Sequence, residues 1–179
     1  MADILLHICC APCSPHVIDL LAREYDTVHG YFYNPNIHPE SEYLLRQDEI
    51  KRFSEEKGFP LIIGAYDAPA WDAAVRGLEN EPEGGARCHV CFRLRLHAAA
   101  RIANELGIPY FTTTLTVSPL KNADKVNAAG RAAAADAGSA TFVENNFKKK
   151  DGFKISTRLA TEYGFYRQNY CGCRYSRRG

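Results

Sequence analysis

Seven cysteines carry the most reactive chemistry in this chain of 179 residues, and all of them stand in three tight groups. Cys9, Cys10 and Cys13 form C-C-x-x-C, Cys88 and Cys91 form C-x-x-C, and Cys171 and Cys173 form C-x-C. Ordinary packing uses cysteines singly, as small buried hydrophobes. Thiolates brought together repel one another unless a cation neutralises them, so groups that converge in the fold call for metal. Zinc would take four thiolates in a closed tetrahedron, often as two C-x-x-C pairs, and leave three thiols over. A cubane iron-sulfur cluster also takes four cysteines, and the remaining three would suit one more iron with an open coordination position. Cys10 and Cys13 in C-A-P-C also have the spacing of a redox dithiol, with Cys13 beside a predicted helix start that lowers a thiol pKa. That reading leaves five cysteines unexplained.

The elements around these groups read as an alternation. Ile4 to Ile8 is a short apolar run that predicts a buried strand, and it stops at the first cysteine group. Ser14 and Pro15 then supply a helix N-cap and first-turn residue, for a helix to about Glu24. Strands follow at Val28 to Tyr33, Leu61 to Ile63, Tyr110 to Thr114 and Thr141 to Val143. Helices are predicted over Ser41 to Lys57, with Glu42 and Arg46 paired at i, i+4, over Pro69 to Leu78, and over Cys88 to Leu106, which Gly107 ends. Ser118 and Pro119 open an alanine-rich helix to about Ala137, and Ser156 to Tyr163 is the last. The pattern predicts one α/β domain over residues 1 to 179, a mainly parallel sheet with helices on both faces, and a basic irregular segment at about 164 to 179. Ligands of such sheets collect at the carboxyl ends of the strands, where Cys9 to Ser14 and Thr112 to Lys121 fall.

Composition narrows the class of function. The apolar content of 46% with 24% charged residues supports a real core. No apolar run reaches the roughly 18 residues that cross a bilayer, and no signal peptide is recognisable, so a cytoplasmic protein without a membrane partner is expected. A reducing compartment argues against a disulfide framework. The formal charge of +1 is uneven: residues 145 to 179 hold nine Lys or Arg against Asp151 and Glu162, which leaves 13 against 19 in the rest. A basic region of this kind points to a polyanionic partner.

With the cysteine groups in place, the chain resembles the epoxyqueuosine reductase family of the QueH type along nearly its whole length. The resemblance is carried by L-L-H-I-C-C-A-P-C-S at 5 to 14, Y-F-Y-N-P-N-I-H-P at 31 to 39, Y-L-L-R-Q-D-E at 43 to 49 and the long string from Gly77 to Leu96. It continues through F-T-T-T-L-T-V-S-P-L-K-N at 111 to 122, F-K-K-K-D-G-F at 147 to 153 and Y-R-Q-N-Y-C-G-C at 166 to 173. It implies reduction of the epoxide of epoxyqueuosine at the wobble position of tRNA to the cyclopentene of queuosine. It further implies a [4Fe-4S] cluster beside an additional mononuclear iron, an unidentified electron donor, and a core like the nucleotide-binding folds of tRNA-modifying ATPases, the HUP-like or adenine nucleotide alpha hydrolase-like fold. Some members of the family have Asp where this chain has Cys13, at a position that serves the extra iron. Here Cys13 would be a softer, thiolate ligand. The expected division gives the cluster one thiolate of the first group, Cys88, Cys91 and one of the C-x-C. The extra iron then takes Cys9 or Cys10, Cys13 and the other C-x-C thiolate.

Removing an epoxide oxygen as water also takes protons, and Tyr33, His38 and Tyr170 lie in strings expected to border the pocket as proton donors. His7, inside an apolar strand, reads as a satisfied core histidine. Thr112 to Thr114 with Ser118 present hydroxyls beside a predicted helix start, suited to phosphate or ribose. The alternative for them is strand packing and an ordinary cap. Lys121, Lys148, Lys149, Lys150, Lys154 and Arg167 are expected on tRNA phosphates, with Tyr166 and Tyr170 placed to stack on a splayed base. Two rival functions remain at this point. An ATP-dependent tRNA-modifying enzyme of related fold would need a glycine-rich loop after the first strand, where C-C-A-P-C-S stands instead. A zinc-stabilised RNA-binding module would hold one zinc and no iron.

Overall fold

Strands and helices alternate along the chain in a computed structural model that describes residues 1–177. The strands are β1 (Ile4–His7), β2 (Val28–Phe32), β3 (Leu61–Ile63), β4 (Tyr110–Thr113) and β5 (Thr141–Phe142). The helices are α1 (Ser14–Leu21), α2 (Glu40–Lys57), α3 (Ala68–Ala74), α4 (Ala86–Glu105), α5 (Ala123–Ala137) and α6 (Gly152–Tyr163). The sheet runs β3-β2-β1-β4-β5, and all four pairings are parallel. Successive strand residues point to opposite faces, so a sheet covered on both sides needs apolar residues at every position. β1 meets this at Ile4, Leu5 and Leu6, and its last residue, His7, is buried with both ring nitrogens hydrogen-bonded. Ile4 and Leu6 pack with Val17 and Ile18 of α1, Phe53 of α2 and Ala160 of α6. Leu5 packs on the opposite face with Leu96 and Ala99 of α4 and Ala129 of α5. Small residues let α5 lie close: a Cβ on Gly130 would stand 2.2 Å from the Phe142 ring.

From β1 the chain moves outward to β2 and β3, then crosses back to β4 and β5. Connections leaving the neighbouring strands β1 and β4 therefore diverge, which opens a crevice at their carboxyl ends. The Thr114 N–H donates to the His7 carbonyl at 3.0 Å and ties these two ends together.

Two helix starts differ from the expectation. Ser14 is the first residue of α1 rather than its cap, because a 3-10 turn at Ala11–Cys13 precedes it. Its hydroxyl donates back to the Cys10 carbonyl at 2.8 Å. Ser118 is extended, and α5 begins only at Ala123. Asn122 wins the capping position, its Oδ1 accepting from the Lys125 N–H at 3.1 Å, while Ser118 Oγ accepts from the Leu120 N–H at 3.2 Å. Lys121 is thereby left outside the helix, in the crevice. α6 starts earlier than expected, and α1 and α3 end earlier. Residues 164–177 follow as turns without regular elements, and residues 178 and 179 of the expected basic segment lie outside the described residues.

Candidate metal centre

The first cysteine group occupies the turn between β1 and α1. Cys9 Sγ lies 3.8 Å from Cys10 Sγ, and Cys10 Sγ lies 3.2 Å from Cys13 Sγ, with all three sulfurs within 4.8 Å of one another. Sulfurs in a tetrahedron around one ion at a metal-sulfur distance of about 2.3 Å stand roughly 3.8 Å apart. The turn thus presents three donors at the spacing of a single ion. The residue after β4 helps to hold them: the Cys9 N–H donates to Thr114 Oγ1 at 3.1 Å, and the same hydroxyl lies 3.1 Å from Cys9 Sγ.

The other four cysteines surround a cavity of about 90 Å³. Cys88 and Cys91 come from α4, and Cys171 and Cys173 from the loop that crosses over it. Cys88, Cys91 and Arg95 follow i, i+3, i+7 spacing and so share one face of the helix. Backbone N–H groups already serve two of the sulfurs, Gly84 donating to Cys88 Sγ at 3.2 Å and Tyr175 to Cys173 Sγ at 3.3 Å. These four sulfurs line a space instead of converging on a point. Among the described residues, Cys9, Cys10 and Cys13 alone meet the single-ion spacing. A second cavity, of about 320 Å³, opens over Cys9, Cys10 and Cys13. Cys171, Arg95 and Lys121 line both cavities and form the seam between them.

Without a cation the three clustered thiols hold little charge. Hydrogen bonds from Cys10 and Cys13 keep the Cys9 thiol well below its usual range, assisted by Lys121 and Thr114. Cys10 is pushed up to about 12: the bond from Cys13 favours its anion, but Cys9 and burial outweigh that bond. Cys13, which donates to its neighbours, is also raised. Across the seam, burial pushes Cys171 up, yet Lys121 and Arg95 more than offset it and leave the thiol lowered. Burial raises Cys91. Full ionisation of the set therefore needs added positive charge, as metal binding supplies.

The expected site residues separate into three sets. Every cysteine reaches one of the two cavities. The mixed division expected for them joins sulfurs of both cavities; the turn keeps Cys9, Cys10 and Cys13 together, and Cys171 lines both cavities. Among the expected proton donors, Tyr33 stacks on Tyr31 with ring centroids 5.9 Å apart and lines a different groove, on the α4 and α5 face. His38 binds through its backbone, its N–H donating to the Gly172 carbonyl at 2.7 Å and its carbonyl accepting from the Tyr170 hydroxyl. Its Nδ1 donates to the Asn36 carbonyl at 2.7 Å. Tyr170 lines the larger cavity with its hydroxyl already engaged. His38 and Tyr170 thus fasten the Cys171 to Cys173 loop.

The hydroxyls and cations expected on nucleic acid also divide. Thr114 is buried and committed to Cys9, so strand packing took the threonines: Thr113 Oγ1 lies 2.9 Å from His7 Nδ1, and Thr112 donates to the Val143 carbonyl at 2.8 Å. His7 is the satisfied core histidine expected, with Nε2 donating to the Tyr33 carbonyl at 3.0 Å, and burial lowers its pKa to about 4. Ser118 and Arg167 line the larger cavity. Lys149, Lys150, Lys154 and Arg167 are exposed, Lys148 is half-buried, and Lys121 faces the sulfurs.

Two buried arginines were not among the expected site residues. Arg46, 2% exposed, donates from Nη1 to the Cys171 carbonyl at 2.8 Å, from Nη2 to the Tyr170 carbonyl at 3.0 Å and from Nε to Glu42 Oε1 at 2.9 Å. Arg95 is equally buried, and its Nη1 donates to Asn34 Oδ1 at 3.1 Å. The i, i+4 pairing of Glu42 with Arg46 and the spacing of Arg95 from Cys91 were the available signals. Gly172 is required between the last two cysteines, with φ +130° and an added Cβ that would stand 2.9 Å from Ile37.

The sequence profile of epoxyqueuosine reductase QueH matches residues 4–179. The chain is 41% identical over 175 residues to the epoxyqueuosine reductase QueH of Histophilus somni, covering 98% of this chain and 72% of that one. It is 34% identical over 181 residues to the protein of that name from Thermotoga maritima, covering 98% and 91%. Among solved structures, the U34-tRNA thiolase NcsA from Methanococcus maripaludis with its [4Fe-4S] cluster superposes with TM-score 0.60 at 14% identity, over 99% of this chain and 61% of that one. A predicted subunit of a tRNA methyltransferase from Methanocaldococcus jannaschii gives TM-score 0.56 at 9% identity, over 94% of each chain. These likenesses support the adenine nucleotide alpha hydrolase-like fold.

Proposed function

The chain belongs to the epoxyqueuosine reductase QueH family, and from that premise we propose that it removes the epoxide oxygen of epoxyqueuosine in the anticodon loop of tRNA. The observation that carries this reading is the pair of thiol-lined cavities meeting at Cys171, Arg95 and Lys121. Cys88, Cys91, Cys171 and Cys173 would hold a [4Fe-4S] cluster, since four sulfurs around a cavity suit a polynuclear core. Cys9, Cys10 and Cys13 would hold the additional iron, since their spacing suits a single ion and three ligands leave a position open. Bound there, the two metals supply electrons and a Lewis acid for the epoxide oxygen. The overall change consumes two electrons and two protons and yields an alkene and water, with the electrons drawn from a separate electron donor.

The chain's own groups bind and orient the substrate. The cavity of about 320 Å³ over Cys9, Cys10 and Cys13 has room for a modified base, and Ser118, Ser156, Gln168 and Tyr170 stand in its wall. Ser156 Oγ and Gln168 Oε1 are buried and make no hydrogen bond within the described residues. A buried polar atom left unpaired is costly, so these two atoms are the ones a polar substrate would satisfy. Arg167 in the cavity wall and Lys148, Lys149, Lys150 and Lys154 outside it neutralise phosphates and make binding depend on salt. The turn that would cradle ATP in a ligase is occupied by Cys9 to Ser14. No helix among the described residues is long and apolar enough to cross a membrane.

Anaerobic incubation of the iron-reconstituted protein with epoxyqueuosine-containing tRNA and a low-potential reductant tests the proposal. Nucleoside mass should show loss of one oxygen. A protein that carries zinc without acid-labile sulfide, or an iron-loaded protein that leaves the epoxide intact, would overturn it.

A further inference from the structure

Arg95 and Lys121 are two cations placed side by side between the cavities, and their position needs an explanation. Burying one charge is expensive, and burying two of the same sign together is more so unless a larger negative charge faces them. Arg95 leaves its Nε and Nη2 without a hydrogen-bond partner among the described residues, although its Nη1 is held by Asn34. It lines both cavities, beside Cys88, Cys91, Cys171 and Cys173 in one and Cys9, Cys10 and Cys13 in the other. Lys121 is placed in the same way: it lines both cavities, with Cys171 in each and Cys9 and Cys13 in the larger. Each cation therefore answers to sulfurs of both cavities.

We propose that Arg95 and Lys121 form a cationic bridge that offsets the negative charge of both metal sites and raises the reduction potential of the four-thiolate cluster. The inference rests on the assignment of the two cavities to a cluster and an iron. The seven thiolates, when ionised, outnumber the positive charge that an iron-sulfur cube and one divalent iron bring, so the filled site is anionic. Adding an electron to the cluster makes it more so. Fixed positive charge close to the sulfurs stabilises the reduced form in a poorly solvated site, where Coulomb interactions are weakly screened. Both residues act through the metal ligands and are positioning residues; neither is assigned to the reacting atoms.

The test is a potentiometric titration of anaerobically reconstituted protein, followed by the electron paramagnetic resonance of the reduced cluster. Arg95→Gln should lower the reduction equilibrium constant about tenfold, equivalent to about 59 mV for a one-electron couple. Lys121→Gln should shift it the same way and by less, because Lys121 is less deeply buried than Arg95. Arg95→Lys and Lys121→Arg keep the charge and should stay near the unaltered value. If the neutral variants fail to assemble the cluster while the charge-conserving ones assemble it, the charge is what holds the anionic site and the proposal stands. Unmoved potentials in a loaded neutral variant, or loss of the cluster in the charge-conserving variants as well, would overturn the bridge alone. An unaltered protein that never acquires acid-labile sulfide would overturn the cluster assignment itself, and the bridge with it.

Discussion

The two thiol-lined regions are built by opposite means. Cys9, Cys10 and Cys13 lie within five residues on one turn, and the strand end and 3-10 turn that bring their sulfurs together are local geometry. Cys88 and Cys91 meet Cys171 and Cys173 across some eighty residues of chain, and nothing local brings them together. Their cavity exists because Arg46, His38 and Tyr170 fasten the loop of the second pair against α2 and the loop before it. A site assembled from distant segments depends on its clamps, whereas a site on one turn depends on the turn.

The largest effect should come from removing the strongest clamp. Arg46→Ala leaves two carbonyls and Glu42 without their guanidinium in a buried setting, a loss of about 3 to 5 kcal/mol. Chemical denaturation should report the destabilisation, and acid-labile sulfide should fall further than the iron held by Cys9, Cys10 and Cys13. Equal loss of both would erase the distinction between the regions. Gly172→Ala forces a side chain into a backbone conformation that disfavours it and against Ile37, at about 1 to 3 kcal/mol. Sulfide content per protein should again decrease selectively. Thr114→Val removes the acceptor of the Cys9 N–H and should cost about 1 kcal/mol, with the selectivity reversed: metal analysis should show weakened retention of the single iron and an intact cluster. Smallest in stability is the replacement of Lys148, Lys149 and Lys150 by Ala. Unfolding and metal content should not change, while tRNA binding weakens and its dependence on salt concentration becomes shallower as phosphate contacts are lost. Binding that is unaffected across the salt series would remove these lysines from the interface.

The same contrast decides what was legible from the sequence. β1 announces itself by a mostly apolar run, and the turn after it by its cysteine spacing, because strand burial and turn chemistry act over a few neighbouring residues. The partnership of Cys91 with Cys171, and the course of the loop beneath Arg46, depend on contacts between remote segments that no short-range pattern encodes. Tyr33, His38 and Tyr170 were expected to supply protons because they sit in the right strings. The direction of a side chain leaving a loop has no periodicity to read, and two of the three proved to be fasteners. Thr114 was read either as a hydroxyl beside a helix start or as strand packing; the helix began nine residues later, at Ala123, and the hydroxyl turned to Cys9. Arg46 and Arg95 were visible as helix-spaced cations. Their burial was not, since the same spacing usually marks a solvated face.

The loop bearing Cys171 and Cys173 follows every strand in chain order. As synthesis proceeds from the amino terminus, the sheet and the first trio of sulfurs can be finished while the larger compartment still lacks one wall. The wall that Arg46 fastens is thus the last part of the compartment to leave the ribosome.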